Sequence, residues 1–294
     1  MCLDKPFSLP SMTSLKPLMY PPEHASSLSV NRPIVHFAHG NSFPSGTYRR
    51  FLELLSKSYD VHALEMHAHN PAYPVTDGWP ALVQELIEEL LFRYQQPVVL
   101  VGHSLGGILS LMVARQRPEL VRCVVLLDAP VSVGWRAGVF RLAKALKLDR
   151  RWSPARFSER RRNLWPDAEA AYQHFSTKQV FASWPREVLR DYVEHGTVAQ
   201  AGGVALRFRR EIETAVYLTL PHHLGQVVKS PFPVPVGFVG GIDSIECRQA
   251  GMIATRRLVG SRLKLLPGDH LFPLQTPQAA ARATDEMIQL LLMT

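Results

Sequence analysis

The stretch Val98-Val-Leu-Val-Gly-His-Ser-Leu-Gly-Gly107 most constrains what this chain can fold into. Its apolar run, Val98 to Val101, reads as a strand buried on both faces, as in a parallel sheet. The run passes into Gly102-His103-Ser104-Leu105-Gly106, a G-x-S-x-G pattern. Glycines here allow a strand and a following helix to approach closely, because they lack a Cβ. Ile108, Leu109, Met112 and Val113 then predict a helix that stops near Pro118. A serine at such a turn is held in a strained backbone geometry, with its hydroxyl clear of the sheet. The helix start adds unpaired N–H groups and a positive dipole end where negative charge would develop. A Gly-rich turn with an incidental serine is the plainer reading. The position between a buried strand and a periodic helix favours a nucleophile.

The same strand–helix rhythm surrounds this stretch. Pro33 to Ala38 predicts a first strand ending at His39-Gly40-Asn41, followed by a helix with Tyr48, Phe51, Leu52 and Leu55 on one face and Ser45 or Thr47 as N-cap. Tyr59 to Met66 predicts a strand. Trp79 to Tyr94 predicts a helix, with Pro80 in its first turn and Leu82, Val83, Leu86, Ile87, Leu90 and Leu91 along one stripe. Cys123 to Leu127 predicts another buried strand, ending at Asp128. From Val131 to about Pro233 the alternation lapses into helical patterns around 166–182, 185–195 and 208–217, with a Trp135–Leu146 stripe before them. It resumes with a strand at 235–240, a helix near 246–258, a strand at 262–266 and a closing helix opened by Thr276 and Pro277. Residues 1–32, rich in Pro and Ser, read as an extended lead-in with room for one short edge strand. Such alternation predicts an α/β chain with a doubly wound, mostly parallel sheet. Ligands of such sheets bind beyond the C-terminal strand ends. Those ends carry His39–Asn41, Ser104, Asp128, Asp243 and His270.

A serine hydroxyl is a weak nucleophile at neutral pH. It needs a base within hydrogen-bond reach and an acid to orient that base. His270 follows the last strand and Asp243 the strand before it. Asp128 competes with Asp243 for the acid's place, while Asp269 is badly directed, being next to His270 itself. The order Ser104, Asp243, His270, together with His39-Gly40, Gly102–Gly107, Gly241-Ile-Asp243 and Gly268-Asp-His270, resembles the α/β-hydrolase-fold serine hydrolases of the capped carboxylesterase and C–C hydrolase type. The resemblance covers residues 33–130 and 234–294. It implies Ser104 as nucleophile, His270 as general base and Asp243 as orienting acid, with Asp128 as the alternative. It also implies an oxyanion hole from the backbone N–H groups of Asn41 and Leu105. It places a core at 1–130 and 234–294 and an inserted helical cap at 131–233. A serine at this point sets the chain apart from relatives of this fold that use a carboxylate nucleophile.

The expected activity is cleavage of a small or medium acyl ester through an acyl-enzyme on Ser104, without metal or other cofactor. A C–C bond hydrolase of diketone ring-cleavage products and a non-catalytic ligand-binding homologue are the alternatives. The small-molecule acyl substrate is the expected partner. Of 33 Lys/Arg, ten fall between Arg136 and Arg162 against two of the 25 Asp/Glu, so the remainder balances at 23 of each. The +8 net charge is therefore local, and does not argue for nucleic-acid binding by the whole protein. The basic segment reads first as a solvated face and second as a weak membrane-surface contact. No apolar run approaches the roughly 20 residues of a membrane span. The N-terminal sequence has the pattern of neither a signal peptide nor a lipid anchor, and a cytoplasmic protein is expected. Three cysteines far apart suggest no disulfide framework. His67-Ala-His69 with Glu65 looks like a metal cluster but lacks a second group at ligand spacing. Trp135, Trp152, Trp165 and Trp184 read as core of the insert, and His103 as a packing residue.

Overall fold

The computed structural model describes residues 18–19, 32–133 and 155–293. The Trp135–Leu146 stripe, the basic residues from Arg136 to Arg151, Trp152 and most of the lead-in lie outside the described residues. Ten strands are described: β1 (Leu18–Met19), β2 (Ile34–Ala38), β3 (Asp60–Ala63), β4 (Val98–His103), β5 (Val121–Leu127), β6 (Leu164–Trp165), β7 (Thr197–Gln200), β8 (Gly203–Leu206), β9 (Val236–Gly241) and β10 (Leu263–Leu266). Seven of them form one sheet in the order β1-β3-β2-β4-β5-β9-β10. All its pairs are parallel except β1 against β3.

Side-chain alternation explains why both faces of this sheet are covered. Val99 and Val101 of β4, with Cys123, Val125 and Leu127 of β5, enter one core cluster. Their neighbours Val98, Leu100, Val124 and Leu126 enter the other. Helices α1 (Arg49–Leu55) and α12 (Pro277–Leu292) supply the first face, and α2 (Pro80–Arg93) and α3 (Leu105–Gln116) the second. The closing helix keeps Pro277 in its first turn, but the Thr276 hydroxyl does not cap it. That hydroxyl donates instead to the Phe272 carbonyl in the short helix α11 (Phe272–Gln275). Neither Ser45 nor Thr47 caps α1. A 3₁₀ turn at Ser45–Tyr48 leads into it, and Ser45 Oγ donates to the Leu64 carbonyl. The helix expected near 246–258 is two, α9 (Ile245–Ala250) and α10 (Ile253–Val259), parted at Gly251 with φ 74°.

Between β5 and β9 the chain leaves the sheet. Helices α4 (Ala155–Arg160), α5 (Ala168–Ser176), α6 (Arg186–Gly196), α7 (Arg210–Leu218) and α8 (Leu224–Val227) stand here; α5, α6 and α7 fall within or close to the expected 166–182, 185–195 and 208–217, while α4 and α8 lie outside those patterns. A three-stranded antiparallel sheet, β6-β8-β7, joins them, which the helical reading did not foresee. Trp165 and Trp184 are buried in the first core cluster, so these two indoles build core. Phe43, at the end of the loop after β2, meets the Trp184 and Tyr192 rings at 6.0 and 5.6 Å and ties the insert to the main sheet. Among the described residues no helix is long and apolar enough to cross a membrane. Cys123 and Cys247 are free and buried.

Candidate active site

Ser104 stands between β4 and α3 with φ 50° and ψ −113°. An L-residue rarely adopts positive φ, and the surroundings enforce it here. Ser104 N donates to Leu127 O of the adjacent strand at 3.0 Å, and its carbonyl accepts from Ile108 N at 3.1 Å. Gly106 is pressed against β2: a Cβ there would lie 2.0 Å from the Ala38 carbonyl oxygen. Only a residue without a Cβ lets α3 start this close to the sheet.

His270, on the loop after β10, reaches back to this serine. Its Nε2 is 3.0 Å from Ser104 Oγ, and its Nδ1 is 2.8 Å from Asp128 Oδ1. The directions follow from what each atom can do. The Asp128 carboxylate accepts, so Nδ1 carries the proton and Nε2 is left to accept from the serine hydroxyl. Asp128 follows β5 at φ 42° and is fully buried. Its Oδ1 also accepts from Ser244 Oγ at 2.6 Å, and its Oδ2 from Gly241 N at 2.7 Å. Burial works to raise the Asp128 carboxyl, but the bonds from His270, Ser244 and Gly241 hold it below the ordinary aspartate value. For His270 burial works to lower the imidazole, and the bond to Asp128 with the nearby charge of Glu246 outweighs it, so the net shift is upward.

The preferred acid of the sequence reading is therefore not the one at His270. Asp243 is exposed, and its backbone N–H donates to Gly268 O at 3.0 Å. The alternative, Asp128, takes the place because β5 lies directly beside β4 in the sheet, whereas β9 lies one strand further out. The loop that carries Asp243 does contribute, through the Gly241 peptide N–H and the Ser244 hydroxyl. Asp269 accepts from Leu271 N at 2.8 Å within its own turn.

Leu105 is the first residue of α3, where peptide N–H groups have no partner inside a helix. Asn41 lies in the turn closed by Phe43 N to Gly40 O at 3.2 Å, with Ser42 at φ 77°. Its side-chain Nδ2 donates to Glu213 O of α7 at 3.1 Å and links this turn to the insert. His39 locks the turn from behind: Nε2 accepts from His67 N at 2.7 Å, so Nδ1 donates to Gly40 O at 2.8 Å. His67 and His69 do not converge as metal ligands. Both ring nitrogens of His69 are engaged, with His67 O at 3.0 Å and Arg209 N at 3.1 Å.

Four contributors escape the sequence reading. His103 is more than packing, since its Nε2 lies 2.9 Å from the His270 carbonyl oxygen and its Nδ1 2.6 Å from Tyr48 Oη. A Cβ on Gly40 would lie 2.6 Å from that Nδ1, so the turn and the ring interlock. Tyr48 looks like plain core in a helical stripe, yet a buried tyrosine hydroxyl needs a partner, and that demand was the available signal. Glu246 Oε2 stands 3.8 Å from His270 Nδ1, on a helix face the apolar pattern does not mark. Arg161, read as part of a solvated basic run, donates to Ser42 Oγ at 2.6 Å, Glu213 Oε2 at 2.8 Å and Tyr192 Oη at 2.7 Å.

This arrangement can pass a proton from a serine hydroxyl to an oriented imidazole, beside backbone donors at a helix start. Known proteins resemble it in sequence and in fold. Residues 37–283 match the model of the alpha/beta hydrolase family. An uncharacterized Synechocystis protein, sll0249, is 41% identical over 68 residues, which take in 22% of this chain and 27% of that one. The chain thus matches well under two thirds of that relative's length. In fold it is similar to E-2-(acetamidomethylene)succinate hydrolase, with TM-score 0.68, 22% identity and coverage of 87% of this chain and 91% of the other. It is also similar to a carboxylesterase of the thaumarchaeon Nitrososphaera gargenis, with TM-score 0.64, 16% identity and 98% of each chain covered. A serine on a strained strand–helix turn, a histidine after the last strand and a family match over most of the length lead to one conclusion: the chain belongs to the alpha/beta hydrolase family.

Proposed function

We propose that this protein is a serine hydrolase that cleaves a small or medium carboxylic ester through an acyl-enzyme on Ser104. The observation that carries the reading is the line Ser104 Oγ–His270 Nε2 at 3.0 Å and His270 Nδ1–Asp128 Oδ1 at 2.8 Å. His270 takes the hydroxyl proton through its free Nε2 as Ser104 attacks the carbonyl carbon. Asp128 keeps the other nitrogen protonated and offsets the charge of the imidazolium. Oxygen charge in the tetrahedral intermediate is received by the N–H groups of Leu105 and Asn41, each such donor being typically worth about 3 kcal/mol. The leaving alcohol takes the proton back from His270. Water, deprotonated by the same nitrogen, then releases the acid and restores Ser104.

In this reading the described part of the insert, residues 155–233, belongs to a cap, and the Asn41–Glu213 bond joins it to the oxyanion turn. The names of the similar proteins, a carboxylesterase and a hydrolase of a substituted succinate, are compatible with carbonyl hydrolysis. Turnover of p-nitrophenyl acetate and butyrate is the test. The wild type should hydrolyse them, and Ser104→Ala should lose at least about 10³-fold in kcat/KM. Fast turnover of a vinylogous diketone with sluggish ester cleavage would move the reading to C–C bond hydrolysis. Equal inactivity of both proteins on ester, thioester and diketone panels, with ligands still bound, would leave a binding protein.

A further inference from the structure

Two carboxylates converge on one nitrogen of His270. Asp128 Oδ1 approaches Nδ1 from the end of β5 at 2.8 Å, within hydrogen-bonding distance. Glu246 Oε2 approaches the same Nδ1 from α9 at 3.8 Å, which is ion-pair range. Ser244 lies between them: its hydroxyl is 2.6 Å from Asp128 Oδ1 and 3.5 Å from Glu246 Oε2. The hydroxyl has one proton, and the shorter contact takes it. Glu246 therefore receives the weaker share of the Ser244 hydroxyl and keeps its charge near the ring.

We propose that Glu246 is a positioning residue for the reaction, a second carboxylate that favours the imidazolium of His270 while Asp128 fixes the ring; the proposal rests on the hydrolase reading above. The argument is one of charge. The neutral ring needs only one acceptor at Nδ1, and Asp128 supplies it. When Nε2 takes the serine proton, the ring gains a full positive charge, and a second anion at 3.8 Å then attracts it. No bond to Glu246 forms or breaks. Among the described residues, the other titratable groups facing His270 are Asp269 of its own loop and the His103 ring from the end of β4, at 4.9 Å between centroids. Burial keeps His103 neutral, so it adds no competing cation. The charge of Glu246 is also felt by Tyr217 of α7, whose phenol burial keeps protonated. The side chain of Glu246 is 49% exposed, whereas that of Asp128 is 0% exposed. Added salt should therefore weaken the influence of Glu246 and leave that of Asp128 nearly intact.

The test is an NMR titration of the His270 Cε1–H signal in the full-length wild type, Glu246→Gln and Glu246→Lys. At about 20 mM salt the midpoint should fall by about half a pH unit in the Gln variant and further in the Lys variant. At about 0.5 M salt the differences should shrink. The acid limb of kcat/KM should follow the midpoint, with KM steady. Identical midpoints in wild type and Glu246→Gln, or in the Gln and Lys variants, overturn the proposal. The titration does not depend on turnover. If Ser104→Ala were as active as wild type, the hydrolase reading would fail while the Glu246–His270 coupling was still measured.

Discussion

His103 Nε2 and the carbonyl oxygen of His270 lie 2.9 Å apart, and this bond fixes the proton on the His103 ring. A carbonyl can only accept, so Nε2 carries the proton and Nδ1 is a lone pair. Tyr48 Oη, 2.6 Å from Nδ1, must then donate to it, and Tyr48 Oη accepts from Gly40 N at 3.3 Å. The chain of bonds joins the Gly40–Asn41 turn to the loop that carries His270. Tyr48→Phe strands one buried acceptor and one buried donor, at a cost of about 1–3 kcal/mol. A lower urea midpoint with unchanged slope, and a several-fold fall in kcat at steady KM, are the expected results. A variant as stable as wild type would show that the bond chain has no net value.

The exchange of Asp243 for Asp128 gives a sharp contrast. Asp128→Asn should reduce kcat/KM of ester hydrolysis by about 10⁴-fold, because the amide no longer fixes the imidazole tautomer. Asp243→Asn, an exposed change, should stay within about twofold. Steady-state kinetics on a p-nitrophenyl ester compares the two. The reverse ranking would return the acid's role to Asp243.

Activity and stability respond to His270 with opposite signs. Its folded-state value is raised above 6.5, chiefly by Asp128 and Glu246 working against burial. Reaction needs the neutral ring, so the acid limb of kcat/KM should have its midpoint above 6.5. The stabilisation from the charged ring is complete below the unfolded value and fades as pH rises through the folded one. Asp128 is lowered below 3.8, so its contribution is present above that value and is lost as pH falls through the folded one. Asp128→Asn should carry the acid limb of whatever activity remains to lower pH. A flat profile between about pH 5 and 8 would contradict the assignment.

Arg161 bridges the insert and the turn after β2. Its side chain is 23% exposed and that of Glu213 is 8% exposed. Arg161→Ala leaves the Glu213 carboxylate buried without its cation, and breaking such a pair costs about 3–5 kcal/mol when both partners are fully buried. About 2–3 kcal/mol is expected at this partly open site. The double variant Arg161→Met, Glu213→Gln should recover much of it, since no charge is then stranded. Thermal unfolding of wild type, single and double variants measures this. A double variant less stable than the single one would mean that the pair is itself a net source of stability.

The meeting of Ser104 and His270 was legible because each sits in a short local pattern at a strand end. Which aspartate faces His270 was not, because that depends on which strands are neighbours. Strand order lies outside any local periodicity, and two carboxylates at the same sheet edge look alike in sequence. The β7–β8 hairpin was missed for a different reason. Its strands have four residues each and lie among helical stripes, although Ala201-Gly202, with Gly202 at φ 87°, is a turn signal between Val198 and Val204. Arg161 was missed because a run of three arginines reads as surface, and only α7, distant in sequence, supplies the carboxylate that draws the middle one inward.

The Gly241 N–H bond to Asp128 also bears on how this molecule can change. The end of β9 and the loop after it hold Asp128 through the Gly241 peptide group and the Ser244 hydroxyl, without the side chains of positions 242 and 243. What must persist there is the path of the main chain. A library randomised at those two positions should keep its hydrolytic members so long as the turn holds, which leaves two adjacent exposed sites open to take up new contacts with substrate or partner.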